Sequence, residues 1–252
     1  MEASLMLKIQ HSFTLFLLLV ISQTSLGISA LTEHTLSVSK SMSAFYMYSL
    51  TDGDKQHKTD YEQYLSEAQL HLKAYEKQDS VSATELKRQW GKFKDHLKFD
   101  YVEGAGFIIP VSLRMEYRSY LNVLYTKISQ ISNSEANLSE QLALMSLSVE
   151  VMSARFFDIS SALYGTLSIS NKDAVIDAPK MAMAFNARLK SLQKLKLSGK
   201  VQKNLKAVAR KWAFIENSVT NYKGEAAYLL VYYNKQKISR LLNKSQSLIA
   251  GA

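Results

Sequence analysis

Glu150 stands between Val149 and Val151, inside a segment dominated by Leu, Met, Val, Ala and Phe. A carboxylate buried in such a segment needs a partner or a raised pKa, and would then mark a binding pocket. At the edge of the apolar stripe it reaches water instead and carries no such meaning. The sequence leaves both readings open. For catalysis the residue pattern is mostly negative. His34, His57, His71 and His96 form no HExxH or other close metal pairing, and Asp95-His96 is an ordinary dipeptide on a charged helix face. There is no phosphate-cradling Gly loop and no G-x-S-x-G elbow. Cysteine is absent, which excludes disulfides, thiolate metal sites, a Cys nucleophile and an acylated Cys. The expectation is a protein without enzymatic activity, metal or cofactor.

Charge is the second chemical signal. The chain carries a formal net charge of +9. Between Ala178 and Ile215 every charged residue is basic. Val201, Leu205, Val208 and Trp212 make an apolar stripe there, which puts Lys203, Lys206 and Arg210 on another, outward face; Lys196 and Lys200 flank Gly199 beside them. Such a cluster attracts polyanions at salt-dependent rates, or simply keeps the protein soluble. Anionic lipid, an acidic envelope polymer or an acidic partner protein would suit it. Nucleic acid is not expected, because surface aromatics for base stacking are not interleaved with these lysines.

The elements that would position these residues are helical. Pro occurs only at Pro110 and Pro179, Gly is sparse, and Leu, Ala, Lys, Ser and Met are plentiful. Leu142, Met145, Val149, Met152, Phe156, Ile159 and Leu163 recur at steps of three and four, with Leu144, Leu147, Val151 and Ala154 widening the apolar face. Capping boxes are read at Thr59 to Glu62, Ser82 to Glu85 and Asn137 to Glu140. Breaks fall at Thr51 to Asp54, Gly104 to Gly106, Ser132 to Ser134 and Leu197 to Gly199. Eight helical segments follow, about 33–51, 59–77, 83–99, 109–132, 138–164, 172–196, 200–220 and 223–248. The aromatic clusters Phe45 to Tyr48 and Tyr228 to Tyr233 read as core, though Tyr hydroxyls on a groove could orient a ligand.

A repeat runs through this pattern. Leu36-Ser37-Val38 returns as Leu147-Ser148-Val149, and Met42-Ser43-Ala44 as Met152-Ser153-Ala154. The only tryptophans, Trp90 and Trp212, each sit on the third helix of a half. The reading is an all-α protein of two antiparallel four-helix bundle modules in tandem, 31–136 and 137–252. Ahead of them, the apolar stretch Phe13 to Ile21 and the triplet Ser25, Leu26, Gly27 read as a signal peptide over 1–27. The expected location is therefore periplasmic, with an N-terminal membrane anchor as the alternative.

A module with its signature on the first helix and a Trp on the third resembles the PilJ-type sensor domain of type IV pilus methyl-accepting chemotaxis transducers, akin to the sensor region of NarX-type nitrate and nitrite kinases. Family members sense small ligands such as nitrate between paired first helices. The family signature, Gly-Arg-Gln-Arg-Met-Leu-Ser-Gln-Arg-Met, aligns with Ser148 to Phe157, retaining Met152, and with Val38 to Met47, retaining Met42 and Met47. Its two early arginines fall on Val149 and Val151, and on Ser39 and Ser41. An oxyanion site would then need Lys40 and Arg155 as substitutes; otherwise these are two solvated charges. The resemblance implies ligand binding near Lys40, Met42, Glu150, Met152 and Arg155. The membrane spans and signalling region of family receptors are not seen in this sequence, so the expected role is a soluble periplasmic binder of a small ligand or protein partner, with a homodimer open. The competing expectation is a structural protein held to the envelope by the basic hairpin around Gly199.

Overall fold

The periodic segments are helical in a computed structural model of the chain, which describes residues 30–95, 97–131, 137–162, 176–221 and 227–250. Helix α1 covers residues 30–50. It is followed by α2 (Lys55–Glu76), α3 (Ser80–Asp95), β1 (Asp100–Val102), β2 (Gly106–Ile108), α4 (Val111–Ile131), α5 (Leu138–Ser160), α6 (Ala178–Lys194), α7 (Gly199–Asn221) and α8 (Tyr228–Ala250). The proposed signal peptide, His96, Leu163 and the break at Ser132 to Ser134 lie outside the described residues. Among the described residues no helix is long and apolar enough to cross a membrane.

Local chemistry sets the helix starts. At α5 the capping box is complete: the Asn137 side chain accepts from the Glu140 amide, and the Glu140 carboxylate accepts from the Asn137 amide, each at 3.0 Å. The boxes expected at Thr59 and Ser82 are corrected. Asp54 caps α2 by accepting from the Gln56 amide at 2.7 Å, and Asp79 accepts from the Ser82 amide at 2.9 Å. Both aspartates lie upstream of the expected caps, and a helix begins at the first side chain able to satisfy its free N–H groups. Thr59 is already inside α2, its hydroxyl donating to the Lys55 carbonyl.

The second correction is a β-hairpin where only a helix break was expected. β1 pairs antiparallel with β2 in the register Asp100 to Ile108, Tyr101 to Phe107 and Val102 to Gly106. Gly104 and Gly106 both have positive φ, which lets the chain reverse. The hairpin packs on the end of α1: Phe107 lies 4.9 Å from the Tyr48 ring centroid, and Ser49 donates to the Phe107 carbonyl.

Two helices form the interior. In α1 nearly every residue from Leu31 to Met47 is buried, Glu33 and Lys40 being the partly exposed ones. In α5 burial is continuous from Met145 to Ala154. Both are rich in small hydroxyl residues, which pack closely; three of them return their hydrogen bonds to the helix itself, and Ser41 donates across to the Tyr61 carbonyl of α2 at 3.1 Å. Thr35 donates to Leu31, Ser39 to Thr35 and Ser148 to Leu144, at 2.8 to 2.9 Å. The repeated Ser-rich stretches lie on these two buried helices. Around α5, helices α6, α7 and α8 pack in succession, with α8 closing back onto α5. Around α1 the contacts come from α2, α3 and α4: His34 Nδ1 donates to the Ala68 carbonyl at 2.8 Å, Tyr120 donates to Nε2 at 2.6 Å, and Trp90 stands edge-on at 5.3 Å. The buried apolar residues make one contiguous cluster that includes Met42, Leu124, Met152 and Leu242.

Candidate ligand cavity and the two buried carboxylates

Glu150 is buried, which decides between the two sequence readings. Its partner comes from α8. There the buried stripe reads Val231, Lys235, Ile238, Leu242 and Ser245, so Lys235 occupies a position the helical period reserves for an apolar side chain. Its ammonium donates to Glu150 Oε2 at 2.5 Å, and Ser239 donates to Oε1 at 2.9 Å. Burial pulls the Lys235 pKa down, and Glu150 pulls it back up. The ammonium also lies 5.1 Å over the Tyr232 ring.

Above this pair opens a cavity of about 580 Å³, walled by α1, α2, α5 and α8. Lys40 of α1 lines it together with Glu150, so two of the residues named from sequence share one site. Asp54, Gln56, His57, Asp60 and Tyr64 contribute from the start of α2, and Tyr232, Tyr233, Gln236, Ser239, Arg240 and Asn243 from α8. Tyr232 donates to Asp60 Oδ2 at 3.0 Å and stands edge-on to His57 at 4.8 Å. Lys40 Nζ lies 5.7 Å over the Tyr64 ring. Burial is the largest cause in each pKa shift here. It lowers His57 against the pull of Asp54 and Asp60, and lifts Tyr64 to about 12, with Glu150 and Asp60 adding to the rise.

The other sequence-named residues are elsewhere. Met42 and Met152 have no exposure at all and belong to the core. Arg155 belongs to a second polar centre two turns along α5, where Asp158 is 2% exposed. There Arg114 Nη1 donates to Asp158 Oδ1 at 2.6 Å, Arg118 donates to Oδ2 through both Nε and Nη2, and Arg155 reaches Oδ2 at 3.5 Å. Arg114 also donates to the Asp158 and Ser161 carbonyls, which helps satisfy the C-terminal end of α5, and to the Ile109 carbonyl ahead of α4. Its guanidinium lies 5.3 Å from the Tyr46 ring centroid.

Sequence reading missed Lys235, Asp60, Ser239 and Arg240, whereas Tyr232 lies in the aromatic cluster it marked as core or groove. The signal for Lys235 was present: a lone cation at an apolar step of a helix that complements a lone acid on another. Lys196, Lys200, Lys203, Lys206 and Arg210 are all exposed, Lys196 in the link between α6 and α7 and the other four on α7 outside its buried stripe. Among the described residues no group of three or more acidic or His side chains is arranged to hold a metal ion. Comparison of the chain with protein-family models, curated proteins and solved structures found no match.

Proposed function

We propose that this chain is an exported, non-enzymatic binding protein that captures a small ligand in the cavity between α1, α2, α5 and α8. One observation carries the reading: Glu150, held in a buried ion pair with Lys235, lines a cavity of about 580 Å³. Replacing such a pair with apolar residues is often neutral or stabilising, so it is weak evidence for a purely structural role. The volume falls within the range of roughly 300–1,000 Å³ common for small-molecule sites, while the lining is mostly polar, with Tyr64, Tyr232 and Tyr233 as its aromatic part.

In this reading the chain is two four-helix modules, 31–136 and 137–252, related to the PilJ-type sensor domains it resembles. Two parallel features support the duplication. Trp90 of α3 donates its indole N–H to Gln69 of α2 at 2.7 Å, and Trp212 of α7 donates to Asn186 of α6 at 3.0 Å. Each half also has a buried first helix. The apolar stretch and small-residue triplet before Gly27 support export to the periplasm. A melting-temperature screen tests the binding role. A ligand at a hundred times its Kd adds about 2.7 kcal/mol of apparent stability, and Lys40→Gln should abolish that gain while leaving the unliganded melt unchanged.

A second reading is supported by the exposed lysines around Gly199, which are in no ion pair among the described residues. There the chain attaches to an anionic envelope surface through α6 and α7. Co-sedimentation with anionic vesicles that falls with salt, and that Lys200→Glu with Lys203→Glu and Lys206→Glu abolishes, would support it.

A further inference from the structure

The lining of the cavity is sorted by charge along its length. At one end Asp54 and Asp60 face it from the first turns of α2, with Tyr232 donating to Asp60. At the other, Lys40 lies over the Tyr64 ring and Arg240 enters from α8, close enough to Tyr64 to lower its pKa. Asp60 and Tyr64 are four residues apart on α2, about 6 Å of rise, and Tyr232 and Arg240 are separated by about 12 Å on α8. Glu150 is already answered by Lys235. The two remaining anionic and two remaining cationic groups therefore balance, and they are held apart.

Asp54 and Arg240 are exposed and Asp60 and Lys40 half-buried. A ligand with one net charge would therefore pair with one end only and leave the other end's two charges to water, whereas a zwitterion pairs with both. A free α-amino acid balances the charges but is too short to reach both ends. Each extended residue adds about 3.5 Å, so two or three residues with free termini span roughly 7 to 10 Å. Between the two ends Gln236 of α8 offers a side-chain amide that both donates and accepts, as a peptide group requires, while Gln56 donates to Asp60 at 2.7 Å at the acidic end. Tyr64, Tyr232 and Tyr233 supply apolar wall for side chains.

Building on the ligand-binding reading, we infer that the cavity takes a di- or tripeptide with free ends, its ammonium beside Asp54 and Asp60 and its carboxylate beside Lys40 and Arg240. The probes are dialanine and trialanine, their N-acetylated and C-amidated forms, alanine, 6-aminohexanoate, succinate and putrescine, titrated calorimetrically into the full chain. Free di- or trialanine should bind most tightly, with each blocked end weakening it roughly tenfold or more, because a charge-assisted hydrogen bond is lost. Asp60→Asn should weaken the free peptide but leave the N-acetylated form unchanged. Arg240→Gln and Lys40→Gln should do the same for the C-amidated form. These cross-checks compare ligands on one folded variant, so a general loss of fold cannot imitate them. Binding of 6-aminohexanoate as tightly as the peptides would overturn the peptide assignment in favour of a simpler zwitterion. Tighter binding of succinate or putrescine, sensitive to Lys40→Gln or Asp60→Asn, would overturn the zwitterion and leave the ligand-binding reading standing. No binding by any probe, together with no stabilising ligand in the wider melting screen, would overturn both.

Discussion

Glu150 and Asp158 are buried carboxylates on one helix, eight residues apart, yet they are solved in opposite ways. Asp158 is surrounded by guanidiniums from α4 and its own helix, every oxygen accepts, and Arg114 spends its remaining donors on backbone carbonyls. That centre ties α4 to the end of α5 and faces no described cavity. Glu150 has one cation and one hydroxyl, and Glu150 and Ser239 line open space. The difference shows what a buried charge can be for. A carboxylate saturated by forked donors fixes where helices end and meet. One met by a compact ammonium keeps lone pairs in reserve beside a place where a ligand can sit.

The largest effect that would break this contrast is at Asp158. Asp158→Asn leaves Arg114 and its neighbours uncompensated and should cost about 3–5 kcal/mol in denaturant unfolding. A loss below 1 kcal/mol would mean the guanidinium cluster is not the clamp described. The next largest concerns a buried polar group handled without charge. Burial drives the His34 pKa down from 6.5 to about 4, partly opposed by its hydrogen bond to Ala68. The unfolded chain therefore binds a proton between these values and the folded one does not. Stability is complete above about pH 6.5 and is lost as pH falls toward 4, by about 3 kcal/mol. His57, also lowered, adds a slope of the same sign. His34→Gln, whose amide can still donate to Ala68 and accept from Tyr120, should flatten the acid limb of a pH series of melts.

Glu150→Gln should cost about 2–3 kcal/mol, less than Asp158→Asn, because only one cation is left unmatched and the Gln side-chain oxygen can still accept from it. Replacing both partners, Glu150→Leu with Lys235→Met, sharpens the contrast further: unfolding free energy should stay within about 1 kcal/mol of the parent while ligand-induced stabilisation disappears. A double variant as unstable as either single one would make the pair structural after all. The smallest effect is at the mouth of the cavity, where Asp54→Ala removes the α2 cap and should cost about 1 kcal/mol.

Much of the helical framework was legible because long apolar periodicity survives any tertiary context. α5 was readable from Leu142 to Phe156, and its cap at Asn137 was read correctly because a complete box leaves little choice of start. The caps at Asp54 and Asp79 were not read, since several side chains able to cap stood in a row. The hairpin was hidden by its length: three-residue strands are too short for an alternation to emerge, and Gly104 to Gly106 looked like any break. Glu150 could be flagged but not resolved, because nothing within α5 says whether a cation waits across the interface. Met42 and Met152, taken over from the family signature, sit in the core instead of on the cavity.

The sequence by itself determined the helices and the two inward stretches around Met42 and Met152, since 3.6-residue periodicity and capping are set by neighbours along the chain. It also determined the basic surface of α7, because an apolar stripe forces the intervening lysines outward. Only the tertiary structure decided that Glu150 meets Lys235, that Asp158 gathers arginines from α4, and that Lys40, Asp60 and Arg240 share one cavity. Those pairings join residues as many as 200 positions apart. Charge attraction at that separation has no address in the sequence until packing of the apolar faces has brought the helices together.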